Sequence, residues 1–429
     1  MNKYIVAIII AITISTSPTL ASAAPLTLNQ CIQHGLTHNP EIKAYQFSVD
    51  EAQQGINEAW GSFLPTLSIN YGITQLSNGA SGERDTDYLD QESDTLSCRL
   101  TQPLFTSFSG MAGLKRARQS REYRTTELRY MQQQLVREIS ITFYDLLYAQ
   151  QLSNQWLVSV ERLKQQATIA SAWVEQQLAP KLRLLEINVE LSNARQQYIQ
   201  ATTKKSIASA RLSEWLALDV GQDINIDGTL TEQVVDPCAT IADCIIQSQQ
   251  RAELKLAQLN IDMARQDAKM IRARNLPQAQ IEASWVDYQR DYDQSSYPDD
   301  DRDYYSVTLN LSFKPFQGGR NISAWRKQKI AVDRYHQMQL RQKNAITTEV
   351  QTRYHQLIES RARIVNANQT LIAATEAYQF ASKSAELGVV SIDDLLNAEL
   401  RLTRAEISLV DSYHALQQSR VYLDSAVGI

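Results

Sequence analysis

The chain is short of the residues that break helices. Of its 429 residues only 14 are glycine and 10 are proline. No glycine lies between Gly113 and Gly221 or between Gly319 and Gly388, and no proline follows Pro315. Those intervals are rich in Gln, Ala, Leu, Arg and Glu, which favour helices, so they predict helices far longer than globular domains use. From about Leu114 to Leu178 one helix would extend roughly 100 Å at 1.5 Å per residue. Cysteine is scarce too. Cys31, Cys98, Cys238 and Cys244 are too few for a disulfide framework and are expected to be small buried residues. Cys238 and Cys244 are the one close pair, and a shared helix would hold them too far apart to bridge. With five histidines there is little room for metal chemistry. His34 and His38 stand at i, i+4, but Pro40 lies just beyond and no third ligand is evident. No nucleophile motif or phosphate loop occurs, so no enzyme, cofactor or bound metal is expected. The net charge of −5 argues against a nucleic-acid partner.

Long apolar runs are also missing after the first residues. Lys3, the run Ile5 to Ile14 and Ala21-Ser22-Ala23 have the layout of a secretory signal peptide over 1–23, with an apolar run too short to cross a membrane. No cysteine follows the cleavage point, which argues against a lipid-anchored N-terminus. No later stretch of 18 apolar residues exists, so no transmembrane helix is expected.

What is present is a plan used twice. Asn39-Pro40-Glu41-Ile42 matches Arg251-Ala252-Glu253-Leu254, Phe63-Leu64-Pro65 matches Asn275-Leu276-Pro277, and Pro103 matches Pro315, all 212 positions apart. Tyr144 and Leu147 match Tyr354 and Leu357, and Glu190 and Arg195 match Glu399 and Arg404, at nearly the same offset. The expected organisation is a first repeat over 24–221 and a second over 222–429. Each runs helix, two strands, long helix, tip, helix, with tips near 178–181 and 387–391.

Strands are expected at about 66–76, 94–105, 278–288 and 304–315, because apolar and polar residues alternate there. Leu67, Ile69, Tyr71 and Ile73 form one apolar row, and Tyr305, Val307, Leu309, Leu311 and Phe313 another. At roughly 9–11 residues each has the length of a tilted membrane-spanning strand. Lipid on one face and water on the other produce such alternation, as does a half-buried soluble sheet. Residues 77–93 and 289–303 are polar, acidic and turn-rich, and suit loops on the outer surface. Trp285, Tyr288, Tyr292, Tyr304 and Tyr305 cluster where an interfacial aromatic girdle would sit. Asp299-Asp300-Asp301 is either a cation site or a solvated loop. On the helices, Leu128, Met131, Leu135, Ile139 and Leu146 form one apolar stripe, and Val350, Tyr354, Leu357, Ile364, Leu371 and Tyr378 another, as coiled-coil packing requires.

Four strands cannot close a barrel, and an open sheet edge cannot face lipid with its N–H and C=O groups unpaired. The smallest transmembrane barrels have eight strands, so this chain must share one. Together these features resemble the TolC family of outer-membrane efflux proteins along essentially the whole mature length. The residues that carry the resemblance are Asn39-Pro40-Glu41, Phe63-Leu64-Pro65, Gln102-Pro103-Leu104-Phe105, Lys314-Pro315-Phe316-Gln317-Gly318-Gly319, and the stretch LGVVSIDDLLNAEL over 387–400.

The resemblance implies a mixed α and β membrane protein. Coiled-coil helices would form a trimeric α-barrel tunnel, joined to a shared 12-stranded transmembrane β-barrel with four strands per chain. It implies a homotrimer in outer-membrane lipid, with the tunnel in the periplasm. The partners would be a periplasmic adaptor (membrane fusion) protein and an inner-membrane transporter, in an efflux or type I secretion system. It places adaptor-contacting tips at Leu178, Ala179, Pro180 and Lys181, and at Leu387, Gly388, Val389, Val390 and Ser391. Gly388 would supply the left-handed residue that ends a helix, and alanine replaces the usual glycine in the first tip. Asp394, with Asp393 and Asn397, falls at the periplasmic gate, where an aspartate ring would attract cations. Ser391 and Asp394 equally form an S-x-x-D capping box. Asn397 and Val390 depart from the acidic and arginine residues found at those places in the family. The rival reading is a trimeric coiled-coil surface or structural protein without transport activity, which leaves the strands and the duplication unexplained.

Overall fold

The computed structural model describes residues 25–76, 91–219, 224–232, 235–292, 301–387 and 389–429. Their elements are α1 (Leu28–His38), α2 (Pro40–Gly61), β1 (Thr66–Leu76), β2 (Gln91–Phe105), α3 (Ser109–Glu175), α4 (Lys181–Leu216), α5 (Ile241–Ser248), α6 (Ala252–Ala273), β3 (Gln278–Tyr292), β4 (Arg302–Ser312), α7 (Arg320–Glu386) and α8 (Ile392–Val427). Lengths recur in order: α2 and α6 have 22 residues, α3 and α7 have 67, and α4 and α8 have 36. The long helices run about 100 Å each at 1.5 Å per residue. None of the described helices is long and apolar enough to cross a membrane.

Two compact units draw on both halves of the sequence. One comprises the described residues within Met1–Gly35, Ile139–Glu232 and Val365–His414; the other, those within Leu36–Glu138, Gln233–Ile364 and Ala415–Ile429. In the first unit, α3 packs on α4 and α8 through Val160, Leu163, Ala170, Ile187, Leu191, Ala194 and Leu396, flanked by Trp156, Tyr198 and Leu400. In the second, the four strands form one antiparallel sheet in the order β1-β2-β3-β4. β2 and β3 reach three or four residues further into the expected loops than the alternation indicated. Residues 77–90 and 293–300, which hold most of those loops with Asp299 and Asp300, lie outside the described residues.

Local chemistry explains how the elements begin and end. Asn39 caps α2, its side-chain oxygen accepting from the Glu41 and Ile42 amides at 2.9 and 3.4 Å. Arg251 stands in the matching position of α6 and cannot cap. It is buried, binds Glu349 at 2.7 Å, and donates to the Ala426 carbonyl in the last turn of α8 at 3.1 Å. β2 carries an irregularity at Pro103, which has no N–H for the ladder.

Between β2 and α3, Ser107 and Phe108 hold φ of 54° and 66°; between β4 and α7 the same conformation falls to Gly318 and Gly319. Glycine adopts it freely, whereas a side chain there costs roughly 1–2 kcal/mol. The Ser107 hydroxyl clamps the first junction by donating to the Pro277 carbonyl.

The cysteines correct one expectation. Cys31 is buried, and burial pushes its thiol up to about 11. Cys238 and Cys244 form a disulfide with Cα atoms 5.5 Å apart. They can do so because only Cys244 belongs to α5, which starts after the capping residue Thr240.

Candidate functional site

The sheet has one apolar and one polar face, and the register shows how continuous each is. Leu67, Leu100, Ala283 and Val307 are neighbours in one row; Ile69, Cys98, Trp285 and Tyr305 are neighbours in the next. Ile281 with Leu309 and Ala279 with Leu311 extend this face toward the helix end. At the loop end Asp94, Asp287 and Asp303 enter its rows and mark its limit.

The opposite face carries Ser68, Arg99, Ser284 and Ser306 in one row, and Thr66, Thr101, Glu282 and Thr308 in another. Arg99 and Glu282 pair there at 3.2 Å, and the Ser284 and Ser306 hydroxyls bond at 2.8 Å. Among the described residues nothing covers the apolar face, and β1 and β4 pair on one side only.

The aromatic residues do not sit together as expected. Trp285 and Tyr305 are opposite one another on the apolar face, but Tyr288 and Tyr304 alternate onto the polar one. At the helix end Phe105, Phe108, Phe313 and Phe316 are exposed. That end lacks the loop-like composition that drew attention to the other, so sequence reading passed over it.

The described residues named at the two tips lie at the α3–α4 and α7–α8 connections. α3 ends in a Schellman turn, in which the Leu178 amide donates to the Trp173 carbonyl at 2.8 Å. Gln177 holds the left-handed position, with φ 59°, so neither Ala179 nor a glycine is needed there. Pro180 then precedes Lys181, the first residue of α4. In the second tip Gly388 lies outside the described residues. Leu178, Leu387 and Val389 are 69%, 79% and 76% exposed, so both tips present apolar side chains to their surroundings. Val390 is half-buried.

Ser391 begins α8. Its hydroxyl oxygen accepts from the Asp394 amide at 3.2 Å, and its O–H donates to the Asp394 carboxylate at 2.6 Å. Asp394 and Asn397 are both exposed, three residues apart on one side of the helix. Asp393 points elsewhere and pairs with Arg183 of α4 at 2.7 Å; Arg183 also holds Glu186 at 2.9 Å. These neighbours hold the Arg183 guanidinium above its ordinary value, Glu186 most strongly. Sequence reasoning missed Arg183. A signal existed: it is the third residue of α4, as Asp394 is the third of α8.

A second cluster joins α3 to α8 inside the same unit. Arg162 donates to Glu399 at 2.8 Å, to Glu406 at 2.7 and 3.1 Å and to Thr403 at 3.2 Å, while Tyr378 lies 5.8 Å from the guanidinium. Glu399 is fully buried and also accepts from Thr403 at 2.9 Å. Burial raises its pKa, against the lowering pull of Arg162 and Thr403. No group of three or more metal-ligating residues occurs among the described residues.

Comparison with known proteins converges on one architecture. A family model described as outer membrane efflux protein matches residues 31–218 and 247–429. Outer membrane protein TolC of Escherichia coli (strain K12) is 21% identical over 445 aligned positions, covering 99% of this chain and 86% of that protein. The Campylobacter jejuni CmeC outer membrane channel superposes with a TM-score of 0.79 at 14% identity, over 94% of this chain and 85% of that one. The open state of the Neisseria gonorrhoeae MtrE outer membrane channel gives 0.78 at 14% identity, over 94% and 88%. At these identities the structures speak for the fold alone.

Proposed function

The chain belongs to the outer membrane efflux protein family, and we propose that three copies assemble into one duct through the outer membrane. A periplasmic adaptor and an inner-membrane transporter would feed it. The observation that carries this reading is the four-stranded sheet, with one continuous apolar face and two open edges. In lipid each unpaired backbone group costs several kcal/mol, which forces the edges to pair with other chains. Three copies supply twelve strands, with the apolar rows toward lipid and the Arg99–Glu282 face toward water. Substrate then passes a polar wall.

The helices support the same assembly. The inner stripe on α7, Val350, Leu357 and Ile364, is buried, but a second stripe one residue on, Ile358, Val365 and Ile372, is exposed. Heptad spacing of exposed apolar residues suits packing against a neighbouring helix. Native mass spectrometry of the detergent-purified protein is expected to give a mass of three chains. A stable monomer that inserts in bilayers would refute the assembly.

The tips are the periplasmic mouth in this reading. Leu178, Ala179, Pro180 and Lys181, with Leu387 to Ser391, dock the adaptor through exposed apolar side chains. Asp394 lines the gate with Asn397 beside it, while Asp393 works indirectly by tying α8 to α4 through Arg183.

The apolar face carries a further expectation. Cys98 lies between Ile69 and Trp285 on that face, so Cys98→Ala is expected to leave export unchanged. A membrane-impermeant maleimide is expected not to label Cys98 in reconstituted channels. Rapid labelling with loss of conductance would put this face in the pore.

A further inference from the structure

Where β2 gives way to α3, the chain keeps an exposed phenylalanine under backbone strain. Phe105 belongs to the apolar face, being paired with Ala279. The ring of Phe108 meets that of Phe105 edge-on, with centroids 5.6 Å apart. Phe108 therefore lies on the side of the chain that the apolar rows present to lipid. It is 64% exposed, in a conformation that the second repeat gives to Gly319. Strain held at an exposed residue points to a role for that side chain.

Beside Phe108 a cleft of about 410 Å³ opens between α3 and α6. Phe108, Met111 and Leu276 line it together with three cations, Lys115, Lys269 and Arg272. Lys115 is two helical turns from Phe108, roughly 10 Å along α3, a distance its side chain bridges by extending along apolar surface. A second cleft of about 560 Å³ shares Lys115 and Lys269 and adds Arg265 and Lys329. Its two carboxylates are Asp262, which Arg265 holds at 2.9 Å, and Asp333.

Among the described residues, Lys115, Lys269 and Arg272 have no ion-pair partner. Elsewhere between the same two helices, in a cleft lined by different residues, Arg116 is neutralised by Asp267 at 2.6 Å. Three unpaired cations beside apolar side chains, on the lipid side and just past the strand ends, match an anionic headgroup with its acyl chains attached.

We propose that this cleft binds the phosphate of an anionic phospholipid from the membrane leaflet at the helix end of the sheet. The proposal rests on the reading of the apolar face as lipid-facing. Phe108 and Met111 take the glycerol end of the acyl chains, Arg272 grips phosphate oxygens through its planar fork, and the two lysines add charge.

The test uses the full-length protein in a neutral detergent, titrated with phosphatidylglycerol or with phosphatidylcholine of the same chains. Bound lipid is counted by native mass spectrometry. Wild type is expected to retain phosphatidylglycerol roughly ten-fold better, a preference that weakens as salt rises. The variant Lys115→Gln/Lys269→Gln/Arg272→Gln is expected to lose the preference, and Arg116→Gln to keep it. Phe108→Gly, which the left-handed backbone accepts, is expected to weaken retention of phosphatidylglycerol without harming assembly.

Equal retention of the two lipids by wild type would overturn the proposal. So would displacement of phosphatidylglycerol by inorganic phosphate alone, which would mark a phosphate site indifferent to lipid. Conductance of the same preparations in planar bilayers separates the two readings. Absent conductance in wild type counts against the channel, whereas normal conductance with equal lipid retention counts against the lipid site alone.

Discussion

Arg162→Met is expected to destabilise the helical unit by about 3–5 kcal/mol at neutral pH. Arg162 is 17% exposed and serves two carboxylates of α8, Glu399 and Glu406, the first of them fully buried. Methionine fills the space but leaves both acids without a counter-charge, which is the costly way to break a buried pair. The pH dependence has a definite sign. Burial already raises the folded-state pKa of Glu399 above the ordinary glutamate range, and losing Arg162 raises it further. A raised carboxyl pKa means that the folded state holds its proton more tightly. Its penalty is absent at low pH and grows as pH rises from the ordinary glutamate range through the folded-state value.

The deficit of Arg162→Met should therefore shrink as pH falls from 7 toward 5. Glu399→Gln should be milder, because Arg162 keeps Glu406, and it should remove that pH slope. Hydrogen exchange of the α3 and α8 amides, corrected for intrinsic rates, measures both effects. Protection in Arg162→Met equal to wild type at pH 7 would mean that the cluster does not hold α3 to α8.

Asp394→Asn is expected to abolish most of the channel's preference for cations. Three copies of Asp394 around the axis of the proposed trimer would gather three negative charges at the mouth, where confinement in a low-dielectric wall amplifies their field. Asparagine removes the charges and keeps an oxygen that can still accept from Ser391. Ser391→Ala is the matched control. It removes the hydroxyl that caps α8, a change worth about 0.5–2 kcal/mol locally, and leaves the charge.

Single-channel reversal potentials under a salt gradient are expected to shift toward zero for Asp394→Asn and to stay at the wild-type value for Ser391→Ala. Block by multivalent cations from the periplasmic side is expected to weaken only in the first variant. If Asp394→Asn matches wild type in both measurements, the aspartate is a helix cap and the gate lies elsewhere.

Much of this architecture is legible from residue order alone. The glycine-free intervals foretell α3 and α7, period-two alternation foretells all four strands and their apolar rows, and Pro180 marks the first tip. Such properties are local. Helix propensity, the two-residue pleat of a strand and the stop imposed by proline act within a few positions, so one dimension suffices to see them.

The tertiary structure decided everything that depends on partners brought from afar. Arg162 and Glu399 are 237 residues apart and meet because α8 packs on α3; neither helix announces the other's charge. Asp393 pairs with Arg183 of α4 for the same reason. Cys238 could bridge Cys244 only because α5 begins after Thr240 and leaves Cys238 outside the helix. Tyr288 and Tyr304 went to the polar face because register, not clustering in sequence, assigns faces. Ser107 and Phe108 took a conformation that their residue types disfavour because the strand-to-helix junction required it. Residue order sets what each segment can be, and packing sets which surfaces and charges are left open to lipid, substrate and partner.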